Sequence, residues 1–133
     1  MLFACGGRTA KNRETGMELN DKDRVEVLYF HGKQRCATCM AIENNAAETV
    51  ETLFADEVET GTVIFRSVDI SAPENERLAD DYEVAWSSLF VNRWRDGKET
   101  RENLTEFAFA NARTAPDAFR NGLAKKITNA LND

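Results

Sequence analysis

An apolar run, Val25-Glu26-Val27-Leu28-Tyr29-Phe30, passes through the short turn His31-Gly32-Lys33-Gln34-Arg35 into Cys36-Ala37-Thr38-Cys39, which opens a long helical pattern. This order constrains the chain more than any other feature. A nearly continuous apolar strand is one buried on both faces, and so central in its sheet. A Cys-x-x-Cys at a helix start puts the first thiol beside unpaired backbone N–H groups and the positive end of the helix dipole. The second thiol lies three residues on, on the same helix face and within reach of the first sulfur. That is the layout of a dithiol–disulfide centre.

The rest of the chain supplies the partners such a strand needs. After the Cys pair, Cys39, Met40, Ala46, Ala47, Val50, Leu53, Phe54 and Val58 predict one buried helical stripe. Glu43, Asn44, Asn45, Glu48, Glu51 and Thr52 are then expected to face water, with Gly61 closing the helical region. Residues 62–70 are rich in β-branched side chains and read as a second strand. Pro73 suits the first turn of a short helix reaching Tyr82. Two strand-like runs, 89–94 and 98–101, flank Arg95-Asp96-Gly97, and the Asp-Gly pair marks a hairpin. A short helix is expected over 105–112. A last one starts at Ala115-Pro116-Asp117 and carries Phe119, Leu123, Ile127 and Leu131 at intervals of four. A parallel βαβ unit followed by a hairpin and a closing helix predicts an α/β fold, a mixed sheet covered on both faces.

With 133 residues, the chain suits one domain with a core of its own. A net charge of −6, with Lys and Arg scattered, argues against nucleic acid as a partner. No apolar run is long enough to span a membrane. Three cysteines do not make a disulfide scaffold. The third, Cys5, sits in Leu2-Phe3-Ala4-Cys5-Gly6-Gly7, which resembles the lipobox of bacterial lipoproteins and implies a lipid anchor on Cys5; the other reading is an incidental cysteine. Residues 6–24 are polar, charged and glycine-containing, so 1–22 are expected as a flexible segment or tether, with the folded domain over 23–133.

From Asp23 onward the chain resembles the thioredoxin family of thiol–disulfide oxidoreductases, through Phe30, the Cys36–Cys39 motif and Asp96-Gly97 in the hairpin turn. The resemblance implies a three-layer sandwich, with Cys36 as the exposed nucleophile and Cys39 as the resolving cysteine. It implies protein thiols or disulfides and an upstream redox protein as partners, an intrinsic redox-active disulfide in place of any bound cofactor, and a monomer. Together with the lipobox it implies a periplasmic or membrane-anchored protein; a cytoplasmic one is the alternative. Three departures stand out. Ser87 or Ser88 falls where the family keeps a cis-proline, Arg35 replaces the tryptophan before the first cysteine, and Tyr29 or Phe30 replaces the buried acid under the second.

Arg35, with Lys33 and His31 near, is expected to favour a thiolate at Cys36; the other reading of Arg35 is a solvated loop charge. Trp86, Ser87 and Ser88 are the candidate substrate groove, whereas Trp94 fits a strand face and is expected in the core. Asp80, Asp81 and Glu83 are read as a solvated helix surface. A metal site is the weaker reading of Cys36, Cys39 and His31, because structural zinc usually takes four ligands. Two functions follow: an oxidoreductase with turnover, or a thioredoxin-like binding or redox-sensor module.

Overall fold

The computed structural model describes residues 23–33 and 35–132. The segment expected as a tether, with Cys5, lies outside them. Strand β1, Arg24–His31, is buried along its whole length except at His31. As its continuous apolarity predicts, it is central: the four-stranded sheet has the order β2-β1-β3-β4, where β2 is Val63–Asp69, β3 Ser88–Arg95 and β4 Lys98–Asn103. β1 runs parallel to β2 and antiparallel to β3, and β3 antiparallel to β4. The parallel pair needs a crossover. Helices α1, Ala37–Leu53, and α2, Ala55–Thr60, supply it.

Alternation along β1 divides the core in two. Val25, Val27 and Tyr29 face one side, packing with Ile42, Ala46 and Val50 of α1 and with Leu89, Phe119, Leu123 and Ile127. Leu28 and Phe30 face the other, against Val68, Tyr82 and Phe90. The first side is covered by α1, by α4 (Thr105–Asn111) and by α5 (Pro116–Asn132); the second by a 3₁₀ turn, Pro73–Asn75, that leads into α3, Glu76–Tyr82. Helices therefore lie on both faces of a mixed sheet. Among the described residues no helix is long and apolar enough to cross a membrane.

The expected stripe of α1 needs correction. Its buried residues are Cys39, Ile42, Ala46, Thr49 and Val50, while Met40, Leu53 and Val58 stand exposed. The helix breaks at Phe54, whose backbone leaves helical geometry (φ −126°, ψ 34°) with its side chain buried in the core, so the continuation through Val58 is a separate helix. Asn45 is not simply solvated: its amide donates to the Ala112 carbonyl, and its oxygen accepts from Arg120, binding α1 to the C-terminal helices. Trp94 is half-buried outside both core clusters, under the Arg24 guanidinium at 4.8 Å.

The hairpin is as expected. Asp96 and Gly97 take φ of 54° and 77°, the left-handed pair that matches the twist of the flanking strands. Gly122, inside α5, is needed for packing, since a Cβ there would overlap the Phe107 ring, which stacks on Phe119.

Candidate active site

Cys36 is the N-cap of α1. Its backbone is extended (φ −81°, ψ 170°), and its sulfur accepts from the Cys39 amide at 3.2 Å, satisfying one of the orphan donors of the first turn. The two cysteines are free thiols, Cys36 exposed and Cys39 buried, with their sulfurs 2.7 Å apart. One sulfur thus meets solvent while the other waits behind it, close enough for a bond to form between them.

Sheet register assembles the surroundings of Cys39. Pairing of Phe30 with Ser88 carries Ser87, the residue before β3, to the end of β1 where the Cys turn begins. The Ser87 hydroxyl donates to Cys39 Sγ at 3.3 Å. On β1, alternation sends Tyr29 toward α1, and its phenol donates to the Cys39 carbonyl at 2.9 Å. Phe30 points to the opposite face, into the Tyr82–Phe90 cluster. Of the two residues that sequence offers for the position under the resolving cysteine, Tyr29 therefore occupies it. Burial pushes its phenol up to about 12 from the ordinary 10.0. Burial also opposes ionisation of Cys39, but hydrogen bonds from Cys36, from Ser87 and from Tyr29 outweigh it and hold the thiol below its ordinary range.

The three side chains expected to tune the pair, Arg35, Lys33 and His31, separate. Arg35 lines the cavity at the Cys pair, and its guanidinium is engaged by the Glu43 carboxylate, one turn beyond Cys39. Glu43 accepts from the Ser67 hydroxyl as well. His31 and Lys33 are not among the cavity's lining residues. His31 stacks on Tyr29 and its Nδ1 bonds the Gly32 carbonyl. Both lie near Asp69, whose carboxyl is held low by hydrogen bonds from Ser71 first and by the electrostatic influence of these two side chains to a lesser degree. Among the described residues no three His, Cys, Asp or Glu side chains converge as a metal site would require.

In front of the sulfurs lies a cavity of about 830 Å³, bounded by Arg35, Cys36 and Cys39, by Ala85-Trp86-Ser87, and by Thr105 and Phe109 of α4. Trp86 is 71% exposed and Phe109 40% exposed. Ser87 is inside the wall, buried against Cys39. Ser88 is a correction: it is buried, its hydroxyl donates to the Trp86 carbonyl, and it does not border this cavity. Sequence reasoning missed Phe109 and Thr105. The available signal was the spacing by four of Leu104, Ala108 and Ala112, buried within α4 and at its two caps, which leaves Phe109 a large apolar side chain off that stripe.

Asp81 also departs from a purely solvated reading, because it pairs with Arg101 of β4 at 2.6 Å.

No protein-family model matches the chain, and no curated protein matches it. Solved structures do. The crystal structure of Trxlp from Edwardsiella tarda EIB202 aligns with a TM-score of 0.53 at 13% identity, over 85% of this chain and 94% of that one. A thioredoxin from Thermus thermophilus, solved in solution, aligns with a TM-score of 0.49 at 19% identity, over 77% of this chain and 75% of that one. The chain has a thioredoxin-like fold, with a close pair of cysteines at the end of its central strand.

Proposed function

We propose that this chain is a thiol–disulfide oxidoreductase acting on protein substrates through Cys36 and Cys39. The observation that carries the reading is the asymmetry of the pair: an exposed sulfur at a helix N-terminus, a buried one 2.7 Å behind it, and an open cavity with exposed aromatic walls in front. The Cys36 thiolate attacks a substrate disulfide. One substrate sulfur leaves as a thiolate and takes a proton from water, and a Cys36–substrate disulfide forms. The Cys39 thiolate then attacks Cys36 Sγ, the mixed disulfide breaks, and the second substrate sulfur departs. Two electrons have moved to the substrate, and the protein holds a Cys36–Cys39 disulfide. Run backwards, the same steps oxidise a substrate dithiol. An upstream redox protein restores the starting state, and the chemistry resides in the two sulfurs without a bound cofactor.

Insulin disulfide reduction driven by dithiothreitol tests this reading. Turnover well above the dithiothreitol baseline is expected, falling to that baseline in Cys36→Ser with the fold intact by circular dichroism. A wild-type trace equal to the Cys36→Ser trace would overturn it in favour of a redox-switched binding module.

A further inference from the structure

The oxidoreductase reading leaves open how the buried cysteine becomes a nucleophile. Cys39 must lose its proton before it can attack, and a buried thiolate is costly without donors. Among the described residues no carboxylate borders the cavity. The acid one turn along α1, Glu43, is taken up by Arg35 and Ser67. Beyond Cys36, the hydroxyl within hydrogen-bond distance of the sulfur is that of Ser87, at 3.3 Å and only 6% exposed, with the Tyr29 phenol contributing less. Behind it the fully buried Tyr29 pins the main chain of Cys39 by its carbonyl.

Resting on that reading, we propose that Ser87 is the catalytic hydrogen-bond donor to the Cys39 thiolate in the resolving step, and that Tyr29 is a positioning residue that holds Cys39 toward Ser87 and Cys36. In this step the Cys39 proton has already left to solvent. Cys39 Sγ bonds Cys36 Sγ, the Cys36–substrate S–S bond breaks, and the substrate leaves as a thiolate that water protonates. Ser87 keeps its own proton throughout and stabilises charge by donation alone. The titratable and charged neighbours among the described residues are Tyr29 and His31 of β1, Lys33 and Arg35 of the turn, and Cys36 and Glu43 of α1. The segment 85–87 and the cavity residues of α4 add no charge.

The two steps separate in a single turnover. The full chain carrying Cys5→Ser, reduced and mixed with one equivalent of dithiobis(nitrobenzoate), releases one nitrothiobenzoate as Cys36 is modified and a second as Cys39 resolves the mixed disulfide. With Ser87→Ala, the second release is expected to slow about tenfold at neutral pH, and its pH midpoint to rise by about one unit, the size of one hydrogen bond to a charged group. The first release is expected to be unchanged, and Ser87→Thr, which keeps a hydroxyl, to restore the second. Ser87→Gly serves as a second hydroxyl-free variant should Ser87→Ala fold poorly. Tyr29→Phe is expected to slow the second release by a smaller factor.

A second release in Ser87→Ala with wild-type rate and midpoint would overturn the proposal while leaving the oxidoreductase reading intact. Equal slowing in Ser87→Ala and Ser87→Thr would overturn the donor role. Absence of any second release from the wild type would overturn both readings together.

Discussion

Two buried tyrosines, one on each face of the sheet, are held in opposite ways. Tyr29 donates to a main-chain carbonyl and has the Ser87 hydroxyl and the Cys39 thiol near its oxygen, with the Arg35 guanidinium as the cation that acts on it. Tyr82 donates to the Glu99 carboxylate at 2.5 Å and accepts from the Asn92 amide at 2.6 Å. The Arg101 guanidinium lies 3.6 Å over its ring and pairs with Glu99 and Asp81. The rear face is thus tied by charge-assisted bonds that join α3 to the β3–β4 hairpin. On the front face, among the described residues, no carboxylate lines the cavity; the donors at Cys39 are neutral, and the charged lining group is the Arg35 guanidinium. A carboxylate there would repel a thiolate, whereas neutral donors stabilise it. The same residue type serves cohesion on one face and, in the proposed function, positioning on the other.

The largest effect expected from this contrast is at the rear. Tyr82→Phe leaves the Asn92 amide and the Glu99 carboxylate short of a partner, and is expected to lower stability by about 1–3 kcal/mol in urea titration. Insulin turnover per folded molecule should be unchanged. If turnover fell along with stability, the two faces would not be separable.

Alkaline pH sharpens the comparison. Burial raises the Tyr29 phenol to about 12 from 10.0, and burial, with the Glu99 hydrogen bond and charge added, raises Tyr82 further still. A raised phenol stabilises the fold fully below its unfolded value, and that contribution is lost as pH rises through the folded one. Stability is therefore expected to fall from about pH 10 upward. Tyr29→Phe should flatten the part of that decline below about pH 12, and Tyr82→Phe a part that extends higher. Melting temperatures in a pH series check this; parallel curves for wild type and both variants would show that neither phenol is the titrating group.

The smallest effect expected is at the rim. Trp86→Ala removes an exposed aromatic wall of the cavity, and is expected to raise the insulin KM by about fivefold, or about 1 kcal/mol, with stability within about 0.5 kcal/mol of wild type. An unchanged KM would mean that substrate does not rest on Trp86.

Local chemistry was legible wherever a few adjacent residues decide the outcome. The Asp96-Gly97 turn, the start of α5 at Pro116, the end of α2 at Gly61 and the central place of β1 all follow from turn residues, caps and continuous apolarity. The stripe of α1 was less legible. Met40 and Ile42 are both apolar, and only the direction in which the helix lies on the sheet buries Ile42 and exposes Met40. The break at Phe54 was hidden for the same reason, since no glycine or proline announces it and the pull of the core on one ring does.

The site divides along the same line. The sequence by itself determined the α/β class, the Cys36–Cys39 pair at the mouth of a helix, and hence the kind of chemistry open to the chain, because these depend on spacings of a few residues. Only the tertiary structure decided that Tyr29 rather than Phe30 sits under Cys39, that Ser87 reaches its sulfur across 48 residues while Ser88 turns away, and that Arg35 is bound to Glu43. The tyrosine and serine choices are made by strand register and side-chain alternation, where a shift of one residue sends each side chain to the opposite face.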